Sequence, residues 1–183
     1  LGDDHPTAVR IRRVRALEER AKVLVCGGDV TDLDQMRSVL DDVRRRFGAI
    51  HGVVHGAGLV DDALMVAKPQ PEMEDVLAPK VYGTLVLDQL TQDDDLDLFV
   101  LFSSTSTVIA PLGQVDYVGA NAFLNAFAES CRGQGRDEVV AVNWGVWSAV
   151  GMAADAGAQL VGTEHSIQER ADARHPLLRE RTT

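Results

Sequence analysis

The sequence has 183 residues, with 18 Lys and Arg against 28 Asp and Glu, a net charge of −10 and 45% hydrophobic residues. These are the proportions of one globular domain that buries a core without disulfides or metals, which excludes disordered and fibrous proteins. The negative charge argues against nucleic acid or an anionic membrane as the main partner, because both attract basic surfaces. The sequence contains no run of about 18 apolar residues, the length needed to cross a bilayer as a helix. The two cysteines, Cys26 and Cys131, show no pairing pattern and indicate a reducing, cytoplasmic setting.

Helices and strands are predicted to alternate along most of the chain. The helices are expected at 7–21, 33–47, 71–90 and 116–132, the third of them kinked at Pro79, and the strands at 22–26, 50–55, 96–102 and 138–144. Such an alternation predicts βα units, and therefore an α/β fold with a Rossmann-like, doubly wound parallel sheet. After about residue 157 the pattern fades, so residues 161–183 are predicted to be a linker.

Several polar residues fall where such a sheet carries its binding crevice, beyond the carboxyl ends of the strands. Ser104 follows one predicted strand, and Tyr117 and Asn121 are i and i+4 at the start of the next helix, so they share a face. Lys80 lies on the earlier helix. Each signal is weak by itself, because a Tyr at a helix start more often packs against its neighbours and a lone Lys more often faces solvent.

The combination is more specific. The chain reads Leu-Phe-Ser-Ser at 101–104, Gly-Gln-Val-Asp-Tyr-Val-Gly-Ala-Asn at 113–121 and Asn-Trp-Gly-Val-Trp at 143–147, with shorter motifs at 29–32, 52–58 and 77–84. In order and spacing these motifs resemble the ketoreductase domains of modular polyketide synthases, members of the short-chain dehydrogenase/reductase superfamily, over roughly residues 8–155. Ordinary superfamily members carry Lys four residues after the Tyr. Here Asn121 holds that position and Lys80 lies on the earlier helix, as is typical of polyketide and fatty acid synthase ketoreductases.

The resemblance implies NADPH-dependent reduction of a 3-ketoacyl thioester carried by an acyl carrier protein, beside neighbouring synthase domains. It assigns Tyr117 as the acid that protonates the growing alkoxide. An unperturbed phenol, with a pKa near 10, is a poor acid at neutral pH. The resemblance gives Lys80 two roles: its ammonium would lower the pKa of the phenol, and it would hold the nicotinamide ribose. Ser104 would donate a hydrogen bond to the substrate oxygen, and Asn121 would position a water on the proton path.

The resemblance also implies a set of cofactor contacts and one gap in that set. The cofactor-binding residues expected are Asp29, Val30, Ala57, Gly58, Lys80, Tyr117 and Gly145. The glycine-rich turn that cradles the pyrophosphate in the family does not appear, since Gly27-Gly28 is followed by Asp. We therefore expect the chain to begin within the helix after the second strand of the fold, with the first βαβ segment elsewhere.

The substrate side of the crevice is assigned to Asp62, Ile109 and Trp147. Val60-Asp61-Asp62 differs by one residue from the Leu-Asp-Asp motif of ketoreductases that form the D-3-hydroxyl, and Ile109 stands where L-specific enzymes have Trp. The resemblance therefore predicts a D-3-hydroxyacyl product. Residues 150–160 would form a lid helix, residues 1–160 the ketoreductase domain, and the linker at 161–183 would lead to a dehydratase domain, whose opening the His-Pro-Leu-Leu at 175–178 resembles.

Two alternatives stay open. The chain could be a free-standing short-chain dehydrogenase, which Asn121 disfavours, or a non-catalytic structural fragment, which the absent glycine-rich turn favours. No metal is expected, because His51 and His55 on one strand are separated by about 13 Å. Both histidines are predicted to be packing or polar-rim residues.

Overall fold

The computed structural model describes residues 5–146, and every structural statement below concerns that part of the chain. Its helices and strands alternate, with a short 3₁₀ helix, Met65–Ala67, after the first strand. The elements are α1 (Pro6–Glu18), α2 (Leu33–Phe47), β1 (Gly52–His55), α3 (Gln70–Thr91), β2 (Leu98–Ser104), α4 (Ser106–Ile109), α5 (Val115–Gly133) and β3 (Val139–Trp144).

The three strands form one parallel sheet in the order β1-β2-β3. Helix α3 connects β1 to β2, and α5 connects β2 to β3. In the register, Val53 pairs with Phe99, and Ser104 at the end of β2 pairs with Trp144. The predicted parallel, Rossmann-like α/β fold is thus confirmed, with three strands in the described part of the chain.

The core lies between the sheet and its two long helices. Phe99 and Leu101 of the central strand are fully buried, and they pack with Leu87 of α3 and Leu124 of α5. Burial along β2 alternates, because Phe99, Leu101 and Ser103 point to the covered face. Both helices that carry candidate catalytic residues are therefore anchored to the strand that ends at Ser104.

Local sequence signals explain where α2 begins and ends. The carboxylate of Asp32 accepts hydrogen bonds from the backbone N–H groups of Asp34 and Gln35, which caps the helix N-terminus. Gly48 ends the helix with φ of 91°, a backbone conformation that favours glycine. These signals made α2 predictable within a residue.

The strand predicted at 22–26 is wrong: this segment belongs to no strand of the sheet. A strand requires a neighbour that satisfies its backbone hydrogen bonds, and none of the three strands pairs with this segment. Val25 is accordingly 69% exposed. The apolar residues of this segment favour a strand, but a local pattern cannot show whether a neighbouring strand is available to pair with it.

Other differences from the predicted elements are smaller. Helix α3 runs through Pro79 as a single helix, in agreement with the predicted span, and the kink at Pro79 stays a prediction. Helix α4 and the 3₁₀ helix were not predicted. In the acidic stretch 93–95 after α3, Asp94 is partly buried and pairs with Arg44 at 2.6 Å. None of the helices in residues 5–146 is long and apolar enough to cross a membrane.

Candidate active site

Lys80 is a buried lysine on α3. Only 3% of its surface is exposed, and its Nζ donates a hydrogen bond to the backbone carbonyl of Phe102 in β2 at 2.7 Å. Burial lowers the pKa of Lys80 to about 8, because the ammonium is poorly solvated there. The Lys80 side chain is therefore held at Phe102, two residues before Ser104 in β2, and its amine remains mostly protonated at neutral pH.

His55 lies beside Lys80, at the carboxyl end of β1. Its Nε2 is 3.1 Å from the carbonyl oxygen of Pro79, which can only accept, so Nε2 carries the proton. Burial, and then the charge of Lys80, lower the pKa of His55 to about 4. The ring is therefore neutral near pH 7, and it fixes the turn of α3 that carries Lys80. The prediction of a packing role for His55 is confirmed by its burial.

Ser104 ends β2 at the same edge of the sheet. Its Oγ accepts a hydrogen bond from the backbone N–H of Ser106 at 3.1 Å, and its carbonyl accepts one from Thr107 Oγ1 at 2.9 Å. Because the oxygen acts as the acceptor, the hydroxyl proton is left for another acceptor. The side chain is half-buried, so a substrate oxygen could reach it.

Asn121 lies fully buried on α5, one turn after Tyr117. Its side-chain Nδ2 donates to the backbone carbonyl of Tyr117 at 2.7 Å, and the backbone carbonyl of Asn121 accepts from Ser103 Oγ at 3.1 Å. The side-chain Oδ1 is buried and has no hydrogen-bond partner. An unpaired buried oxygen is costly, so this atom suits a bound water or a ligand hydroxyl. Tyr117 itself is half-buried on the same helix face.

The segment after β1 is tied to the turn before α5. The Nε2 of Gln114 donates to the carboxylate of Asp62 at 2.8 Å, and the backbone N–H of Ala63 donates to the carbonyl of Gly113 at 3.0 Å. The structure therefore brings the predicted substrate residue Asp62 next to the turn that precedes Tyr117. Ile109 lies on α4 after Ser104 and is 70% exposed. Trp147 lies outside the described residues.

Sequence reasoning missed the most buried ion pair of the described chain. The ammonium of Lys68 contacts the carboxylate of Asp116, and the two side chains are 0% and 1% exposed. Burial alone would lower the pKa of Lys68, but the hydrogen bond and charge of Asp116 outweigh burial and raise it. The only available signal was an acid in the first turn of α5, directly before Tyr117. A contact across 48 residues leaves no local pattern.

The residues predicted to line the adenine lie on the loop before α2. The carboxylate of Asp29 accepts hydrogen bonds from the backbone N–H and the hydroxyl of Thr31 at 2.9 and 2.8 Å, which hold its pKa below the usual range. Val30 packs against Gly83 of α3, where a Cβ would lie 2.9 Å from Val30 Cγ1. Ala57 and Gly58 are half-buried after β1, and Gly145 is exposed after β3.

The described residues fit one end of a nicotinamide cofactor. Lys80 and the unpaired Oδ1 of Asn121 supply a cation and an acceptor suited to the ribose hydroxyls. The pyrophosphate end has no glycine-rich turn to hold it in residues 5–146, and the N-terminus of α1 is capped by the His5 side chain. The other three long helices carry an acid in the first turn, which repels phosphate. These acids are Asp34 of α2, Glu72 of α3 and Asp116 of α5.

Comparison with known proteins agrees with this geometry. The model of the KR domain family matches residues 2–149. Polyketide synthase ThaG of Burkholderia thailandensis is 39% identical over 140 residues, which are 74% of this chain and 2% of that protein. Polyketide synthase PksN of Bacillus subtilis is 37% identical over 132 residues, or 69% of this chain and 2% of that protein.

Solved structures give the same result. An N-terminal ketoreductase from the macrolactin assembly line matches with a TM-score of 0.72 and 33% identity, over 80% of this chain and 30% of that one. A ketoreductase domain from the bacillaene assembly line matches with a TM-score of 0.73 and 35% identity, over 79% of this chain and 36% of that one. This chain thus spans about a third of each solved ketoreductase.

The fold and the matches define a Rossmann-like domain of the reductase class. The chain belongs to the KR family, the ketoreductase domains of polyketide synthases. The resemblance drawn from the sequence motifs is thereby confirmed. The assignments of individual site residues, and the domain boundaries at residues 160 and 161, stay predictions.

Proposed function

We propose that this chain belongs to an oxidoreductase that converts a 3-ketoacyl thioester, held on an acyl carrier protein, to the 3-hydroxyacyl thioester with NADPH. The observation that carries the proposal is the burial of Lys80 against the end of β2, with its pKa lowered to about 8. Ser104 follows on that strand, and Asn121 of the Tyr117 helix is linked to Ser103. A buried ammonium on α3, together with the phenol of Tyr117 and the hydroxyl of Ser104, makes up the set that carbonyl reduction requires.

The chemistry proposed for these residues is proton delivery. When bound, NADPH supplies the hydride that reaches the carbonyl carbon. Ser104 donates a hydrogen bond to the carbonyl oxygen, which stabilises the negative charge that develops there. Tyr117 transfers its phenolic proton to that oxygen, so a hydride and a proton together convert the ketone to the alcohol.

Lys80 and Asn121 support the acid. The charge of Lys80 is proposed to stabilise the phenolate that forms when Tyr117 gives up its proton. The Oδ1 of Asn121, which lacks a partner, holds a water through which the phenolate regains its proton. Because Nδ2 is bound to the carbonyl of Tyr117, the amide of Asn121 is fixed relative to the turn that carries the acid.

The remaining predicted residues surround this centre. Asp29 and Val30 are proposed to lie along the adenine, and Ala57, Gly58 and Gly145 to let the cofactor approach the backbone. For the acyl chain and its phosphopantetheine arm, the exposed apolar side chains of the turn after β2 offer a surface that water solvates poorly. These side chains are Val108, Ile109 and Leu112.

The proposed product is the D-3-hydroxyacyl thioester, because Asp62 stands in the motif that resembles D-specific enzymes and Ile109 replaces Trp. The polypeptide that carries this sequence should be incubated with NADPH and a 3-ketoacyl thioester, and the product resolved by chiral chromatography. D-3-hydroxy product supports the proposal. Predominantly L product contradicts the stereochemical assignment, and no reduction contradicts the function.

A non-catalytic structural role is the second candidate. It is favoured by the absence of a glycine-rich turn from residues 5–146, where the long helices α2, α3 and α5 also begin with an acidic first turn. The same experiment separates the two candidates: a structural domain oxidises no NADPH in the presence of the thioester, with or without substitution of Lys80 by Met.

A further inference from the structure

Lys68 joins two parts of the crevice that are distant in sequence. Its ammonium donates to the backbone carbonyl of Asp61, lies 3.6 Å from the Asp61 carboxylate and contacts the carboxylate of Asp116. Asp61 belongs to the segment after β1, next to the predicted stereocontrol residue Asp62. Asp116 belongs to the first turn of α5, next to Tyr117.

The carboxylate of Asp116 is shared between two partners. Its Oδ2 contacts Lys68, and its Oδ1 accepts a hydrogen bond from the backbone N–H of Tyr117 at 2.8 Å. A single buried group therefore connects the lysine to the backbone of the proposed acid. Removing one partner of a buried ion pair lowers the stability of a protein, because the other partner is left as an uncompensated buried charge.

Two further hydrogen bonds run parallel to this pair. The bond from Gln114 to Asp62 and the bond from the Ala63 N–H to the Gly113 carbonyl join the same two segments. Asp61 and Asp62 are exposed, whereas Lys68 is fully buried. The buried lysine is thus the interior anchor of a segment whose other contacts are open to water.

We propose that Lys68 is a positioning residue that sets the stereochemistry of reduction by fixing the 61–63 segment relative to the helix that carries Tyr117. This inference rests on the proposed function. The 3-keto group must enter between that segment and Tyr117, so their separation decides which carbonyl face can be presented. A loosened segment admits both faces, and the minor 3-hydroxy isomer increases.

The test compares a single and a double substitution in the polypeptide that carries this sequence. Lys68→Met leaves Asp116 buried and unpaired, which lowers stability as well as order. Lys68→Met with Asp116→Asn leaves no buried charge, and the Asn oxygen still accepts from the Tyr117 N–H. Asp61 is an exposed residue, so we expect water to replace the ammonium at its carbonyl in both variants. The double variant should therefore recover most of the melting temperature.

The readout is the ratio of D to L product, together with KM and kcat. In both variants the minor isomer should rise about tenfold and KM should increase, since small displacements at a reacting centre have effects of this size or more. Arg136→Met is the matched control, because it removes an ion pair that Arg136, just after the C-terminal end of α5, makes with Asp88 of α3. It should lower the melting temperature and leave the product ratio unchanged.

The outcomes distinguish this inference from the function on which it rests. A double variant that recovers its melting temperature and keeps the parental ratio overturns the inference, because Lys68 is then purely structural. A parent that does not reduce the thioester overturns the proposed function and this inference with it. A shifted ratio in both Lys68 variants, with an unshifted Arg136→Met control, supports the inference.

Discussion

At the scale of single residues, the site is made of polar groups placed where they reduce stability. Lys80 has been removed from water with one hydrogen bond to a backbone carbonyl, and Asn121 holds an oxygen without a partner. Both arrangements cost free energy, and neither helps the core to pack. Both fit the proposed function, in which Lys80 provides a positive charge for the acid and the Asn121 oxygen holds a water.

The cost of burying Lys80 should be visible in the pH dependence of stability. The pKa of Lys80 is lowered from 10.5 to about 8 in the folded chain, so between those values the unfolded state binds more protons. The free energy of unfolding should therefore rise with pH across this window, by up to about 3 kcal/mol. Below pH 8 the penalty is fully present.

Lys80→Met is the variant that isolates this effect. Denaturant unfolding at pH 7.5 and pH 10 should show that the variant is more stable than the parent at the lower pH and that the difference shrinks at the higher pH. A parent whose stability follows that of Lys80→Met at both values would contradict the burial of a charged lysine.

At the scale of elements, the site depends on how closely α3 approaches β1 and the loop before α2. A Cβ on Gly83 would lie 2.9 Å from Val30 Cγ1 and 3.2 Å from His55 Cε1. Glycine inside a helix ordinarily costs about 1 kcal/mol relative to alanine. Here the cost is accepted because only glycine lets the helix that carries Lys80 lie against His55.

Gly83→Ala should therefore destabilise the chain in spite of its better helix propensity. We expect a loss of about 1–3 kcal/mol in the free energy of unfolding, because Val30 and His55 must move. Gly119→Ala on α5 is the matched control: its Cβ would meet only Leu77 Cδ2, at 3.8 Å. The control should gain about 0.5–1 kcal/mol. Equal effects in urea unfolding would refute the close approach.

The elements differ in how far the sequence predicts them. Helix α2 follows from its Asp32 cap, its apolar stripe and Gly48, which are all local signals. The strand expected at 22–26 was wrong because strand formation depends on a partner elsewhere in the chain. Lys80 and Asn121 were predicted as site residues from motifs, whereas the Lys68–Asp116 pair, which depends on a tertiary contact, left no local signal.

At the scale of the whole molecule, the candidate catalytic residues lie in the described part of the chain, whereas the glycine-rich turn that cradles a pyrophosphate does not appear there. Helices α2, α3 and α5 carry an acid in the first turn, and the N-terminus of α1 is capped by the His5 side chain. The chain also spans about a third of the solved ketoreductases that it matches. Cofactor affinity and catalytic equipment should therefore separate in this chain.

Calorimetry on the 183-residue chain alone should show this separation. We expect no heat of NADPH binding at micromolar concentrations, because residues 5–146 hold no glycine-rich turn to contact the pyrophosphate. The control is the same titration of a longer polypeptide that carries the sequence. Micromolar binding by the chain alone would mean that it holds the phosphates in a way that its helix termini do not indicate.

The most direct test of the central claim is the rate at which the Tyr117→Phe variant reduces a 3-ketoacyl thioester, measured in the polypeptide that carries this sequence. The substitution removes one hydroxyl from a half-buried ring, so the melting temperature should stay within a few degrees of the parent. If Tyr117 is the acid, the rate of NADPH oxidation should fall about 10²–10⁴-fold. A variant that keeps more than about a third of the parental rate, far above that range, would contradict the account.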